Sequence, residues 1–196
     1  MEGREIMKKI AICGGIGSGK SMVSAVLRES GAFVVSADEV NAELLQEKEY
    51  IALIENTFPQ VVHNNQINKK ELARLIYSDE KSRERLMELS HPLIFDRMLR
   101  KAEGEDIVFF EIPLLTKCPI RFDSIWYVSA SVEKRIVAIV RRDGVSEEYA
   151  RKVMSLQSDE DKLVERADVV LVNDYDEGRF VAQVKLQYCS ILSQFS

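Results

Sequence analysis

Excess positive charge is missing from this chain, and histidine, cysteine and long apolar runs are scarce. Its 27 Lys and Arg are outnumbered by 32 Asp and Glu, which gives a net charge of −5. Such a balance argues against a general nucleic-acid binder, so any affinity for phosphate has to be local. The three cysteines, Cys13, Cys118 and Cys189, are odd in number and scattered. They make neither a disulfide framework nor a metal-binding spacing, which fits a reducing cytoplasm, with Cys13 as a small core residue. No stretch approaches the roughly 18 consecutive apolar residues that a membrane helix needs. The opening MEGREIMKK lacks the apolar segment of an export signal. The expectation is a soluble cytoplasmic protein with neither a nucleic-acid nor a membrane partner. Its 196 residues, 46% of them hydrophobic, suffice for one α/β domain with small insertions.

Glycine is sparse as well, and its placement is uneven. Four of the nine fall in the octapeptide GGIGSGKS, residues 14–21. That string fits G-x-x-x-x-G-K-[ST], a phosphate-binding loop. The glycines let the backbone curl with its N–H groups inward. Lys20 brings a compact positive charge for the β- and γ-phosphates, and the Ser21 hydroxyl can complete a Mg²⁺ shell. A helix opening at the loop adds partial positive charge. By composition alone, such a string arises by chance in roughly one chain in a hundred of this length. The context is also right. Ile10 to Cys13 is a short apolar run suited to a buried parallel strand, and residues 22–27 carry apolar positions at helical spacing.

Beyond the loop, strands and helices alternate, the signature of a parallel sheet covered on both faces. The first strand is expected at Lys9 to Cys13 and the first helix at Lys20 to Ser30, ended by Gly31. Phe33 to Val35 is a second strand, and Asp38 could cap the helix that follows it. Ile51 to Phe58 reads as a short helix and Pro59 to Asn68 as a loop. Asn68 to Tyr77 and Glu80 to Ala102 read as helical, with a break or kink expected at His91-Pro92. Strands are expected at Ile107 to Phe110, Ile125 to Val128 and Val169 to Val172. Helices are expected at Val132 to Val140, Ser146 to Gln157 and Glu177 to Leu192. Five strands with intervening helices match the common core of P-loop kinases.

Ligands of open α/β sheets bind where the parallel strands end. Asp38, just past the second strand, is expected at that edge, as a proton acceptor, a Mg²⁺ contact or only a helix cap. Glu111 ends the third strand, either holding Mg²⁺ through water or accepting from loop N–H groups. Arg135, Arg141, Arg142 and Arg151 surround the charged helix near 146. They form either a lid over the γ-phosphate or a solvated face. Arg142 stands out because it precedes the Asp143-Gly144 turn. His91 and the polar-loop His63 read more readily as structural. Lys69, Lys70 and Arg74 either meet an anionic substrate or are solvated.

Taken together, these motifs resemble the dephospho-coenzyme A kinase family almost from end to end. The resemblance rests on GGIGSGKS, Ala37-Asp38, Leu72-Ala73, His91-Pro92-Leu93-Ile94, Ile112-Pro113-Leu114-Leu115 and Arg142-Asp143-Gly144. Gln157, Lys162, Ala167-Asp168 and Val172-Asn173 extend it. It implies a P-loop NTPase fold with a five-stranded parallel sheet, a helical acceptor-binding insertion and a small helical lid. It implies transfer of the ATP γ-phosphate to the ribose 3′-hydroxyl of dephospho-CoA, with ATP as co-substrate and Mg²⁺ as metal. The nucleotide would take Gly15, Ile16, Gly17, Ser18, Gly19, Lys20, Ser21, Met22 and Asn173, with Ser21 on the metal. Lys20, Asp38 and Arg142 would carry phosphate binding, base catalysis and lid closure. Asp38, Lys69, His91 and Glu111 would meet the acceptor. The core would span 1–58, 104–139 and 159–196, the insertion 59–103 and the lid 140–158. A monomer is expected.

The chain departs from the family pattern at several positions. Ser36 stands for an Asp, Asn41 and Lys69 for arginines, and Glu111 for an Asp. Thr116-Lys117 stands for Phe-Glu, Arg135 for a Gln and Ala138 for an Arg. Lysine cannot copy the guanidinium fork, so anion contacts are altered. Two other readings therefore accompany the first. One is another small-molecule or nucleotide P-loop kinase. The other is a nucleotide-binding paralogue with little activity.

Overall fold

The apolar run ahead of the phosphate loop becomes the central strand of the protein. In the computed structural model, which describes residues 7–113, 118–156, 160–174 and 176–194, β1 spans Lys8–Cys13. It pairs in parallel with β5 (Ile107–Glu111) on one side and β6 (Ser124–Ser129) on the other. β7 (Val169–Val172) pairs with β6, and β2 (Phe33–Ser36) lies outside β5. The result is a five-stranded parallel sheet in the order β2-β5-β1-β6-β7. A strand hydrogen-bonded on both edges and covered on both faces has to be apolar throughout, and Ile10 to Cys13 are buried.

Strand order sets the place of the loop. From β1 the chain moves to one side of the sheet, and it later crosses to β6 on the other side. β1 is therefore the switch point, and the loop after it opens where no crossover connection covers the strand end. α1 (Lys20–Glu29) follows directly, with Val23, Ser24, Val26 and Leu27 buried. It closes with a left-handed Gly31: Gly31 N–H donates to the Arg28 carbonyl and Ala32 N–H to that of Leu27. α1 packs beside α9 (Glu177–Gln194), and their apolar faces share a core with Phe109 and Trp126. Phe109 meets Trp126 and Tyr188 edge to face, at 5.2 and 5.8 Å between ring centroids.

The described chain divides into two compact units. One takes the chain up to Val35 and from Ala102 on, and it holds the sheet, α6 (Val132–Asp143), α7 (Glu147–Ser155), α8 (Glu160–Glu165) and α9. The other, Ser36–Lys101, contains α2 (Ala37–Leu44), α3 (Lys48–Thr57), α4 (Lys69–Ser78) and α5 (Glu80–Lys101). α2 and α3 group with this unit because α2 packs on α5 and α3 on the segment that follows it. Tyr50 is buried there, its hydroxyl donating to Ser90 Oγ at 2.7 Å and lying 3.5 Å from Asn41 Oδ1. Arg97 forks onto both carboxylate oxygens of Glu47 at 2.8 and 3.1 Å. Among the described residues no helix is long and apolar enough to cross a membrane.

Several local expectations are corrected. Asp38 does not cap α2: the cap position is Ser36, which makes no side-chain cap bond, and Asp38 is the second helical residue. Its charge still sits at the positive end of that helix. The expected loop at Pro59 to Asn68 holds a 3₁₀ turn and a short hairpin, β3 (Val62–His63) with β4 (Gln66–Ile67). Asn64 and Asn65, at φ 51° and 60°, supply the left-handed two-residue turn such hairpins favour. α5 is not broken at His91-Pro92. Pro92 lies on the exposed side, where the unpaired carbonyl of the preceding turn can meet water, while Ser90, Ile94, Phe95 and Met98 bury the opposite face. α6 runs on from Val140 to Asp143, where left-handed Gly144 ends it. α8 falls where no helix was expected. Leu114 to Lys117 and Gln157, which contribute to the resemblance or its departures, lie outside the described residues.

Phe109 is fully buried between two aromatic partners, so its removal leaves a cavity that the sheet cannot close. Phe109→Ala is expected to lower the unfolding free energy by about 3–5 kcal/mol, measured by urea denaturation.

Candidate active site

The loop needs its glycines for close approach as much as for curvature. Gly14, Gly17 and Gly19 have φ of 147°, 79° and 104°. A Cβ on Gly17 would lie 2.7 Å from the Arg135 carbonyl oxygen. One on Gly14 would strike the Val128 carbonyl, and one on Gly19 the Asn173 amide. The loop is thus pressed against β6, α6 and the end of β7. Gly19 occupies the cap position of α1 and brings no side-chain cap, and no acidic residue falls in the first turn. The first N–H groups of α1 are accordingly offered to an anion rather than to a carboxylate of the chain.

Lys20, the first residue of α1, folds back over the loop. Its Nζ donates to the Gly14 carbonyl at 2.8 Å and to that of Gly15 at 3.1 Å. Ser21 is exposed beside it, and Met22 is half-buried. Ser18 is buried, its N–H donates to the Gly15 carbonyl, and its hydroxyl has no hydrogen-bond partner. Cys13, next to the loop, is a core residue as expected. Burial pushes its thiol up to about 12, against the opposing pull of Lys20 and Arg166. Near neutrality it stays a protonated thiol in the core.

Two neighbours brace this loop, and a third holds the helix that follows it. Glu111 ends β5, is buried, and accepts from Ser24 Oγ of α1 at 2.7 Å. Arg135 lies in α6, and its Nε donates to the Ile16 carbonyl at 2.9 Å. It is only 6% exposed, so the solvated-face alternative is wrong for Arg135. Asn173 follows β7, and its Nδ2 donates to the Ser18 carbonyl at 2.7 Å. Its Oδ1 accepts from Lys134 Nζ, also at 2.7 Å. Sequence reasoning missed Ser24 and Lys134. Their neighbours in sequence are apolar or charged without pattern, and only the packing of α1 on β5 and of α6 on the loop brings them in.

The other arginines behave differently. Arg142 is exposed in the last turn of α6, and its Nε and Nη2 grip both oxygens of Asp143 at 2.7 and 2.8 Å. That contact holds the Asp143 carboxyl below its usual 3.8. Arg151 pairs with Glu147 one turn away along α7. The apolar face of this helix pair, Ile136, Ile139 and Ala150, packs with Ile16 of the loop.

In the Ser36–Lys101 unit, Asp38 is exposed in the first turn of α2 and Lys69 is exposed at the start of α4. His91 is half-buried in α5, edge to face with Phe95 at 5.5 Å. His63 is not idle: its Nε2 lies 2.6 Å from Glu71 Oε2. Asn41 lies beside the Tyr50 hydroxyl inside the unit.

Gly17→Ala tests the packed loop. A left-handed alanine costs about 1–2 kcal/mol by itself, and the Arg135 carbonyl it would meet is backbone that cannot rotate away. The variant is expected to melt several degrees lower and to lose affinity for ADP, read by thermal unfolding with and without nucleotide.

Comparison with known proteins agrees with this geometry. A family model described as dephospho-CoA kinase matches residues 8–177. The dephospho-CoA kinase of Bartonella quintana (strain Toulouse) is 33% identical over 172 residues, covering 84% of this chain and 88% of that protein. A crystal structure of TT1252 from Thermus thermophilus has a TM-score of 0.82 at 29% identity, over 97% of this chain and 98% of that one. The dephospho-CoA kinase from Campylobacter jejuni shares the fold, with a TM-score of 0.63 at 20% identity over 94% and 97% of the two chains. The two other readings, a different P-loop kinase and a weakly active nucleotide binder, are not favoured by these matches. With the phosphate loop, the sheet order and the family match in agreement, the chain belongs to the dephospho-CoA kinase family.

Proposed function

We propose that this protein phosphorylates the ribose 3′-hydroxyl of dephospho-CoA with ATP. The observation that carries the reading is the uncapped start of α1 behind a glycine loop at the sheet's switch point, in a chain of this family. Residues 15–22 cradle the triphosphate. Lys20 exchanges the Gly14 and Gly15 carbonyls for phosphate oxygens, and its charge offsets that of the transferring group. Asp38 accepts the proton of the attacking hydroxyl. Arg142, carried on the helix pair formed by α6 and α7, is the lid cation, competed for by Asp143 until phosphate replaces that carboxylate. Asn173 borders the nucleotide, while Lys69, His91 and Glu111 contribute to acceptor binding.

Magnesium fits the residues present. Among the described residues no three His, Cys, Asp or Glu side chains cluster as a metal cage. Mg²⁺ in such sites draws most of its shell from phosphates and water, so one exposed hydroxyl and one outer carboxylate are a sufficient donor set. Ser21 would hold the ion directly and Glu111 through water. When bound, the ion neutralises charge between the β- and γ-phosphates. The scattered cysteines support a reducing cytoplasm as its setting.

A coupled assay with ATP and dephospho-CoA is expected to show ADP release that depends on the acceptor. Absence of transfer to this acceptor, with transfer to a different alcohol, would overturn the assignment. Lys20→Ala is expected to lower kcat by at least about 10²-fold while the melting temperature holds. Unchanged turnover would remove the phosphate-loop assignment.

Asp38→Asn separates catalysis from helix stability. It removes one charge from the start of α2, worth about 0.3–1 kcal/mol. Loss of a general base costs about 10²–10⁴-fold in rate. The expected outcome is a large fall in kcat with an unchanged KM for ATP. A near-parental kcat would show that Asp38 only serves the helix.

A further inference from the structure

The loop carbonyls of Ile16 and Ser18 are each held by a side chain from elsewhere in the fold. Ile16 accepts from Arg135 Nε at 2.9 Å, and Ser18 accepts from Asn173 Nδ2 at 2.7 Å. Asn173 is in turn fixed by Lys134 Nζ at 2.7 Å. Lys134 and Arg135 are consecutive residues in the first turns of α6, which Ser131 caps by accepting from Lys134 N–H. One end of one helix therefore grips the loop at two points, directly through Arg135 and through Asn173 from Lys134.

A trans peptide holds its C=O and the following N–H antiparallel. Turning the Ile16 carbonyl toward Arg135 aims the Gly17 N–H the opposite way. Turning the Ser18 carbonyl toward Asn173 does the same for the Gly19 N–H. An anion cradle requires that orientation, with N–H groups converging and carbonyls facing out. Glycines leave the loop free to adopt other orientations, with φ of 79° at Gly17 and 104° at Gly19. Some external donor has to remove that freedom before the anion arrives.

We propose that Arg135 and the Lys134-Asn173 pair are positioning residues that pre-set the phosphate cradle by pinning the Ile16 and Ser18 carbonyls outward. Arg135 acts here through its Nε donor rather than its charge. This rests on the nucleotide-binding role of the loop, and it adds which side chains shape it.

Four single variants test it, each measured for its ADP dissociation constant and for its melting temperature without nucleotide. Arg135→Met keeps the apolar stem and removes the donor, and it is expected to weaken ADP binding about tenfold or more, as loss of a hydrogen bond from a charged donor implies. Arg135→Gln places an amide nitrogen the same number of bonds from Cα as Nε, so it is expected to restore most of that affinity without the charge. Arg135→Lys keeps the charge but puts a methylene at the Nε position, and it is expected to resemble the Met variant. Lys134→Met loosens Asn173 and is expected to weaken ADP binding severalfold.

Rescue by Lys with failure by Gln would overturn positioning in favour of a charge effect. Met variants that bind ADP like the parent, whatever their melting temperature, would overturn the brace. Should Arg135→Met fail to fold, Lys134→Met with parental affinity overturns it equally. A parent chain that binds no ADP removes the nucleotide reading and the brace together, whereas a parent that binds ADP leaves that reading standing on its own.

Discussion

A phosphate loop has to hold its shape without a secondary-structure ladder of its own. Its glycines make inward-facing N–H groups sterically possible, and the same freedom would let those groups turn elsewhere. Every outward carbonyl then needs a donor, because a buried unpaired peptide group costs more than a hydrogen bond returns. In this protein the donors come from β7's end and from α6. The surrounding architecture follows from supplying them. β6 and β7 have to lie together on one side of β1 so that α6 and Asn173 reach the loop, and α6 has to begin beside Gly17, where only a hydrogen atom fits.

That arrangement links the loop to the helices that follow it. Ile16 packs into the small apolar cluster of Ile136, Ile139 and Ala150, so α7 is attached through one face while its charges remain in solvent. Arg142 rides on the end of α6, paired with its own neighbour Asp143. The Asp143 carboxyl is depressed by that pairing, so the contact is fully present above the ordinary carboxylate range. It is lost only as pH falls through the lowered value. Near neutrality the pair is therefore intact with respect to protons.

The Ser36–Lys101 unit is stabilised by different means. Its long helix α5 survives an internal proline because the opposite face is packed, and its surface carries ion pairs such as Lys101 with Glu43 at 2.7 Å. Pairs so exposed contribute little each. The buried Tyr50 hydroxyl, held by Ser90 and raised in pKa by burial, is the more consequential polar group. Asn41 lies beside it, with its Oδ1 3.5 Å from the same hydroxyl.

The amino-acid sequence by itself determined the phosphate loop, the parallel sheet and the family. Those features are written in local order: fixed glycine spacing, apolar runs of strand length, and Gly31 two residues past the end of α1. It also contained the Asn64-Asn65 turn signal, which reads only as a loop because the flanking strands are two residues each. Tertiary structure alone decided the fate of the charged side chains. Arg135 and Arg142 lie in one helix and look alike in sequence, yet one is buried under the loop and the other is exposed. The reason is rotational: which face of α6 meets Gly17 depends on how that helix packs against β1's loop. No local pattern of charges encodes that contact, since Lys134 and Asn173 are 39 residues apart and meet only when β7 and α6 are both in place.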